Sequence, residues 1–183
     1  WTLNWGLFEK LKRTPALIAT NAVYNTFYQH TGTSNIGKIY EVYERFHELS
    51  NEPGMLGYRN YNDNLVNQKD LVSNSMIEYL EAVDNQTKND KWQEVQTEII
   101  GLQNLEAEAT TKAADRLSSL NTAQTAMQSS LAAMSNTNII EDNFSTIYGI
   151  VINHLDLLSF NFSENEISSI TAVAIQCPIY GGR

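Results

Sequence analysis

Cysteine is almost absent from this chain, and so are proline and long apolar runs. The lone thiol, Cys177, has no partner for an internal disulfide, which also excludes zinc sites built on two or more thiolates from one chain. Charged residues make up only 18% of the sequence, below the ~25% of an average globular domain, and Asn, Gln, Ser and Thr fill the gap. The charge present is of one sign, −9 net, with a pI near 4.7. An acidic surface repels phosphate backbones and anionic membranes, so nucleic-acid binding by bulk electrostatics is excluded. The densest basic run, Lys10-Leu11-Lys12-Arg13, reads as a solvated helix end rather than an anion site. The longest apolar stretch, Ile147 to Leu158, is interrupted by Gly149, Asn153, His154 and Asp156, and falls short of the ~18–20 residues of a membrane span.

What remains is 42% hydrophobic material at helical spacing. The fold class expected is all-α, a bundle of about five to six amphipathic helices. An aromatic-rich arm over 1–13, carrying Trp1, Trp5 and Phe8, precedes a bundle domain over 14–183. Thr14-Pro15 opens a helix running to about His30, since proline suits the first helical position. Ser34 or Asn35 caps the next, whose stripe is Ile36, Ile39, Tyr40, Tyr43, Phe46 and Leu49. Asn51-Glu52-Pro53-Gly54 breaks it, and Tyr58 to Asn64 reads as a polar-aromatic loop before Asp63 opens a third helix. The stretch Asp84 to Asp90 ends that one. Residues 90–135 hold no proline and only Gly101, and their seam slips phase between Trp92, Val95, Ile99, Leu102 and Leu117, Leu120, Met127. One long bending helix or a helix pair both fit. Asp142 caps a sixth element, and Ser163 with Glu166 forms a capping box ahead of Ile167, Ile170, Val173, Ala174 and Cys177.

No arrangement of side chains predicts catalysis, a cofactor or a bound metal. Glu44-x-x-His47 puts a carboxylate and an imidazole on one helical face, but carboxylate-bridged di-metal bundles use two such motifs and two further glutamates. A helical metalloenzyme built on that pair is therefore a remote alternative. Asp84 to Val95 fails as a calcium loop, because Lys88, Asn89 and Val95 stand where an oxygen ligand, glycine and glutamate are needed. Cys177 lacks a basic neighbour and reads as a buried structural thiol. Tyr24, Tyr28, Tyr40 and Tyr43 form a candidate recognition face. Asn85, Asn143 and Asn161 head N-glycosylation sequons, which matter only in a eukaryotic secreted protein.

The capped helix from Phe162-Ser163-Glu164, ending in Gln176-Cys177-Pro178-Ile179-Tyr180-Gly181-Gly182, resembles a segment near the carboxy terminus of large exported surface proteins of the Bacteroidota. There a Q-C-P-x-x-G-G turn precedes a type IX secretion sorting domain. The resemblance covers about 20 residues and implies an extracellular module; the sorting domain itself has no counterpart here. Opening at Trp1 and stopping after a Gly-Gly turn suggests a fragment of a longer polypeptide. The function expected is a non-catalytic helical module of an exported or cell-surface protein, a spacer or protein-interaction domain. Its partner is another protein or the rest of the parent polypeptide, with no nucleic acid, no membrane span and the oligomeric state left open. The alternative is a self-assembling intracellular or phage-type structural protein working through the 90–135 helix, in which case the location is cytoplasmic.

Overall fold

The computed structural model describes residues 1–155 and 161–176. Their regular structure is helical throughout: α1 (Thr2–Arg13), α2 (Pro15–Thr20), α3 (Ala22–Gly32), α4 (Asn35–Glu48), α5 (Pro53–Glu81), α6 (Asn85–Ala132), α7 (Ile139–Asn153) and α8 (Glu164–Gln176), with a 3-10 turn over Leu49–Asn51. The protein is all-α. The 90–135 segment is one long helix, starting earlier than expected, at Asn85. The chain divides into two compact units, Trp1–Leu49 with Leu120–Arg183, and Ser50–Ser119. The residues of the expected arm form α1, within the first of these units.

In the first unit α1 packs on α3 and α4, burying Phe8 and Leu11. Gly6 does not stop α1, since Trp1, Trp5 and Phe8 anchor it: Trp5 lies 5.3 Å from Tyr40, and Phe8 stacks on Tyr28 at 5.2 Å. The single helix expected from Pro15 to His30 is two. Asn21 breaks it, its side chain accepting hydrogen bonds from the Val23 and Tyr24 N–H groups as an N-cap. In α4 Ile36, Ile39, Tyr40 and Val42 are buried. Asn35 caps nothing here. Its amide reaches the Ser135 carbonyl at 2.7 Å and Glu141 at 2.8 Å, tying α4 to the start of α7. The cap of α7 is Asn138 rather than Asp142, which sits in the first turn. Val42, Ala123, Met127 and Ile152 close the core between α4, the end of α6 and α7, with Phe46 and Tyr148 packed against them. The Ser163–Glu166 capping box forms as expected, at 2.8 Å from Ser163 N–H to the Glu166 carboxylate. The stripe beyond it is not buried. Ile167 is 51% exposed and α8 holds no buried residue; Cys177 and the turn after it lie outside the described residues.

The second unit is an antiparallel hairpin of α5 and the first part of α6, joined by residues 82–84. Tyr58 to Asn64, expected as a loop, is helical, and α5 begins at Pro53. Seam positions explain it. Tyr58, Tyr61, Leu65, Gln68, Val72, Ser75 and Tyr79 recur at alternating steps of three and four, and all are buried or half-buried. On α6 Val95, Glu98, Leu102, Leu105, Ala109 and Arg116 answer them. Asp84 starts α6 instead of ending α5, accepting from the Thr87 N–H at 2.8 Å. Trp92 and Leu117, expected on the seam, flank it.

Gly37 marks the tightest approach in the first unit. A β-carbon there would collide with the Gly32 carbonyl group and lie 2.7 Å from the Thr31 carbonyl oxygen, whereas one at Gly149 would meet nothing within 4 Å. Gly37→Ala is expected to destabilise the protein by about 1–3 kcal/mol through backbone displacement. Gly149→Ala is expected to be neutral or to stabilise by up to ~1 kcal/mol, as alanine does in mid-helix. Urea unfolding of the two variants against the parent checks both signs.

Candidate interaction surface

The polar groups singled out in the first unit are held by structural partners. Glu44 forms an ion pair with Lys12, whose ammonium also sits 4.9 Å from the Tyr40 ring centroid. His47 lies 4.1 Å from the Tyr43 ring and turns Nδ1 toward the Tyr43 carbonyl at 3.1 Å. The motif Glu44-x-x-His47 thus joins α1 to α4 at one end and caps an aromatic surface at the other. Arg13, the end of the basic run, pairs with Glu9 at 2.6 Å. Among the described residues no group of three or more His, Cys, Asp or Glu side chains is arranged to hold a metal ion.

The four tyrosines do not make one face. Tyr40 is buried, Tyr28 stacks on Phe8, Tyr43 leans on Trp5 and His47, and only Tyr24 is exposed. Burial, followed by the neighbouring Glu44 carboxylate, raises the Tyr40 phenol above its ordinary pKa. Beside Tyr24, Val23 and Phe27 line an open hollow of about 550 Å³ with Ala22, Thr26 and His30.

Two carboxyl groups carry buried or shielded hydrogen-bond work. Burial pushes Glu141 up, but the Thr137 N–H, the Asn35 amide and further donors outweigh it and leave the carboxyl below its ordinary range. Glu166 is held down to about 2 by the Ser163 N–H, by His154 Nε2 at 2.8 Å and by the Ser163 hydroxyl.

In the hairpin, the seam decides what each remaining face carries. Helical geometry places the residues beside the seam on two flanks. One flank carries six carboxylates and no base: Glu78 and Glu81 on α5, Asp90, Glu94, Glu108 and Asp115 on α6. Asn60, Asn64, Asn67, Asn74 and the exposed Leu71 share it. Lys91 crosses to it from the seam, pairing with Glu78 at 2.6 Å and Glu94 at 2.9 Å. The other flank is apolar. Val66, Met76, Leu80 and Val83 project from α5, with Leu80 69% and Val83 94% exposed. Trp92, Ile99 and Leu117 project from α6, with Trp92 41% and Leu117 43% exposed. Its only charges are Arg59, Lys69 and Glu106. Leu71 on the acidic flank and Leu56, Ile77 and Ile100 on the outer edges are exposed as well, but this flank gathers the largest set, and such a surface marks an interaction site more often than solvent-facing decoration.

Sequence reasoning missed this face because it depends on pairing. Reading 58–64 as a loop removed the first third of α5 and with it the seam that defines the flanks. The sequons fall at the first residue of α6 (Asn85), inside α7 (Asn143) and just before α8 (Asn161). Comparison with known proteins finds no matching family model, no matching curated protein and no matching solved structure. Among the described residues no helix is long and apolar enough to cross a membrane.

Because Glu141 and Glu166 bind protons more weakly in the fold than in the unfolded chain, unfolding takes up protons as the pH falls. Their stabilisation is full above the ordinary carboxyl value of 4.5 and is lost on descent from there, toward about 2 for Glu166. The Glu141→Gln, Glu166→Gln double variant is expected to melt lower than the parent at neutral pH. It should also lose less melting temperature between about pH 5 and 2. Calorimetry across that range checks both.

Proposed function

We propose that this chain is a non-catalytic helical module of an exported or cell-surface protein and that it acts as a protein-interaction domain. The observation that carries the reading is the apolar flank of the α5–α6 hairpin, where Val66, Leu80, Trp92 and Leu117 stand exposed on one side while the carboxylates gather on the other. Leaving these side chains in water forgoes about 25 cal/mol for every Å² of apolar surface, which a partner would recover. The engagement of Glu44 by Lys12 and of Glu166 by His154 supports a structural rather than a chemical use of the polar groups. The resemblance of 162–182 to the carboxy-terminal region of type IX-exported Bacteroidota proteins supports the cell surface as the place of work.

A photo-reactive residue at Leu80 or Leu117 is expected to cross-link a protein in living cells, while one at Asn67 on the acidic flank yields none. Protease added to intact cells should degrade the chain. Absence of adducts from both apolar positions would count against the interaction role, and protection from protease would count against the surface location.

A further inference from the structure

We infer that the α5–α6 hairpin is a separately opening unit: it unfolds and closes again while the first unit stays folded, and the change ends in α6 near Leu120. The inference goes beyond the interaction reading and requires no partner on either flank.

Burial argues first. Among the described residues, Tyr61 and Val95 are the buried hydrophobic side chains of 50–119, whereas ten others belong to the first unit. Segments with few buried apolar contacts open at a lower free energy than the cores beside them. Several seam places go to polar side chains instead. The Gln68 amide sits 2.6 Å from the Glu98 carboxylate, and the Arg116 guanidinium 5.6 Å from the Tyr58 ring. Opening exchanges such hydrogen bonds for bonds to water, so each holds the pair only modestly.

Connectivity argues second. Residues 50–119 are one contiguous stretch, with α5 and α6 joined by 82–84. Contacts this local re-form fast from the open state. The first unit is assembled from 1–49 and 120–183. Its two parts are tied directly, Val42 packing with Ala123, Met127 and Ile152, and Asn35 reaching Ser135 and Glu141. For that unit an open hairpin is a loop, and the entropy of closing a loop grows only with the logarithm of its length. Opening the hairpin therefore leaves the first unit's own contacts in place.

Helix α6 supplies the starting point for closure. It runs unbroken from Asn85 to Ala132, and from Leu120 onward it belongs to the first unit, where Leu120, Ala123 and Met127 are buried. A helix held at one end has already passed its unfavourable nucleation step. The hairpin part of α6 regrows from Leu120 one hydrogen bond at a time, and α5 then docks along the seam.

The three tryptophans make this testable, since Trp1 and Trp5 lie in the first unit and Trp92 in the hairpin. In Trp92→Phe, urea unfolding is followed by circular dichroism for all helices and by tryptophan fluorescence for the first unit. The helical signal is expected to fall in two steps, with fluorescence following only the second. In the parent chain under native conditions, amide hydrogen exchange should be at least about tenfold faster in peptides from α5 and 85–117 than in those from α4 and α7. Val95→Ala, added to Trp92→Phe, should speed hairpin exchange at least about tenfold more or leave the hairpin open. In both cases the Trp1 and Trp5 transition should keep its midpoint. Coincident helical and fluorescence transitions overturn the inference. So do α5 amides as slow to exchange as those of α4, or a Val95→Ala that shifts the first unit's transition as far as the hairpin's.

Discussion

Two helices packed on each other along one seam bury one stripe apiece, and that constraint shapes the hairpin. In a larger bundle a helix meets neighbours on two or three sides and can hide a wide apolar arc. Here α5 and the first part of α6 meet along a single seam, so apolar residues off that seam find no full cover within the hairpin. Tyr61 and Val95 are the only buried hydrophobic residues the seam achieves, and only Val95 is fully so. The exposure of Val66, Leu80, Trp92 and Leu117 is therefore no packing accident. These residues, like Leu71, Ile77 and Ile100 on the other faces, exceed what a two-helix arrangement can cover, and they share one flank while six carboxylates share the other.

The first unit solves the same problem differently, with rings. Trp1 stacks on Trp5 at 5.5 Å and on Phe144 at 5.3 Å, and Phe144 passes the contact to Tyr148 at 5.6 Å. Tyr148 in turn meets Phe46 at 5.5 Å. Each aromatic side chain covers far more area than an aliphatic one, so short helices such as α1 and α7 can be fixed by a few contacts. Polar clamps then fix their positions along one another. Asn35 holds Ser135 by both its amide and its carbonyl, and Gln124 donates to the Ile152 carbonyl at 3.1 Å. A chain poor in charge but rich in Asn and Gln can make such joints without the desolvation cost of burying ions.

Helix periodicity was legible, and so was every element with both an apolar stripe and a strong boundary signal. The capping box at Ser163–Glu166 and the proline start at Pro15 are local, and local signals survive into the fold; Pro53, read only as a break, is the first residue of α5. What misled was asparagine. Three asparagines and two tyrosines over 58–64 look like a loop by propensity, yet Tyr58, Tyr61 and Leu65 meet a partner helix at seam spacing, and that tertiary gain outweighs a few tenths of a kcal/mol per residue of poor propensity. Asn21 and Asn138 carried the opposite message: they were true caps inside stretches read as continuous helix or as capped elsewhere. Residue type alone cannot separate an asparagine that breaks a helix from one that rides on its exposed face. The Ile167 stripe of α8 shows the converse, an amphipathic pattern that the described residues leave half uncovered. The candidate face was legible only as scattered exposed hydrophobics until the seam told which of them share a side.

The seam also explains why a hairpin this sparsely cored keeps one register. Gln68 sits where an apolar residue would pack better, and its amide donates to both the Glu98 carboxylate at 2.6 Å and the Glu98 carbonyl at 3.0 Å. Gly101 makes the room: a β-carbon there would lie 2.8 Å from the Gln68 amide nitrogen. At the far end the same device recurs, since a β-carbon at Gly54 would run into the Asp115 carbonyl oxygen beside the Ser119 hydroxyl that the Gly54 N–H donates to. Sliding α5 by one turn would strand the Gln68 amide and drive side chains into both glycine gaps. Polar seam residues lower the stability of a helix pair while raising the cost of every wrong alignment. Fixing the alignment in turn fixes which residues stand level across the two helices, and a flank of defined levels is what a complementary surface needs in order to recognise it.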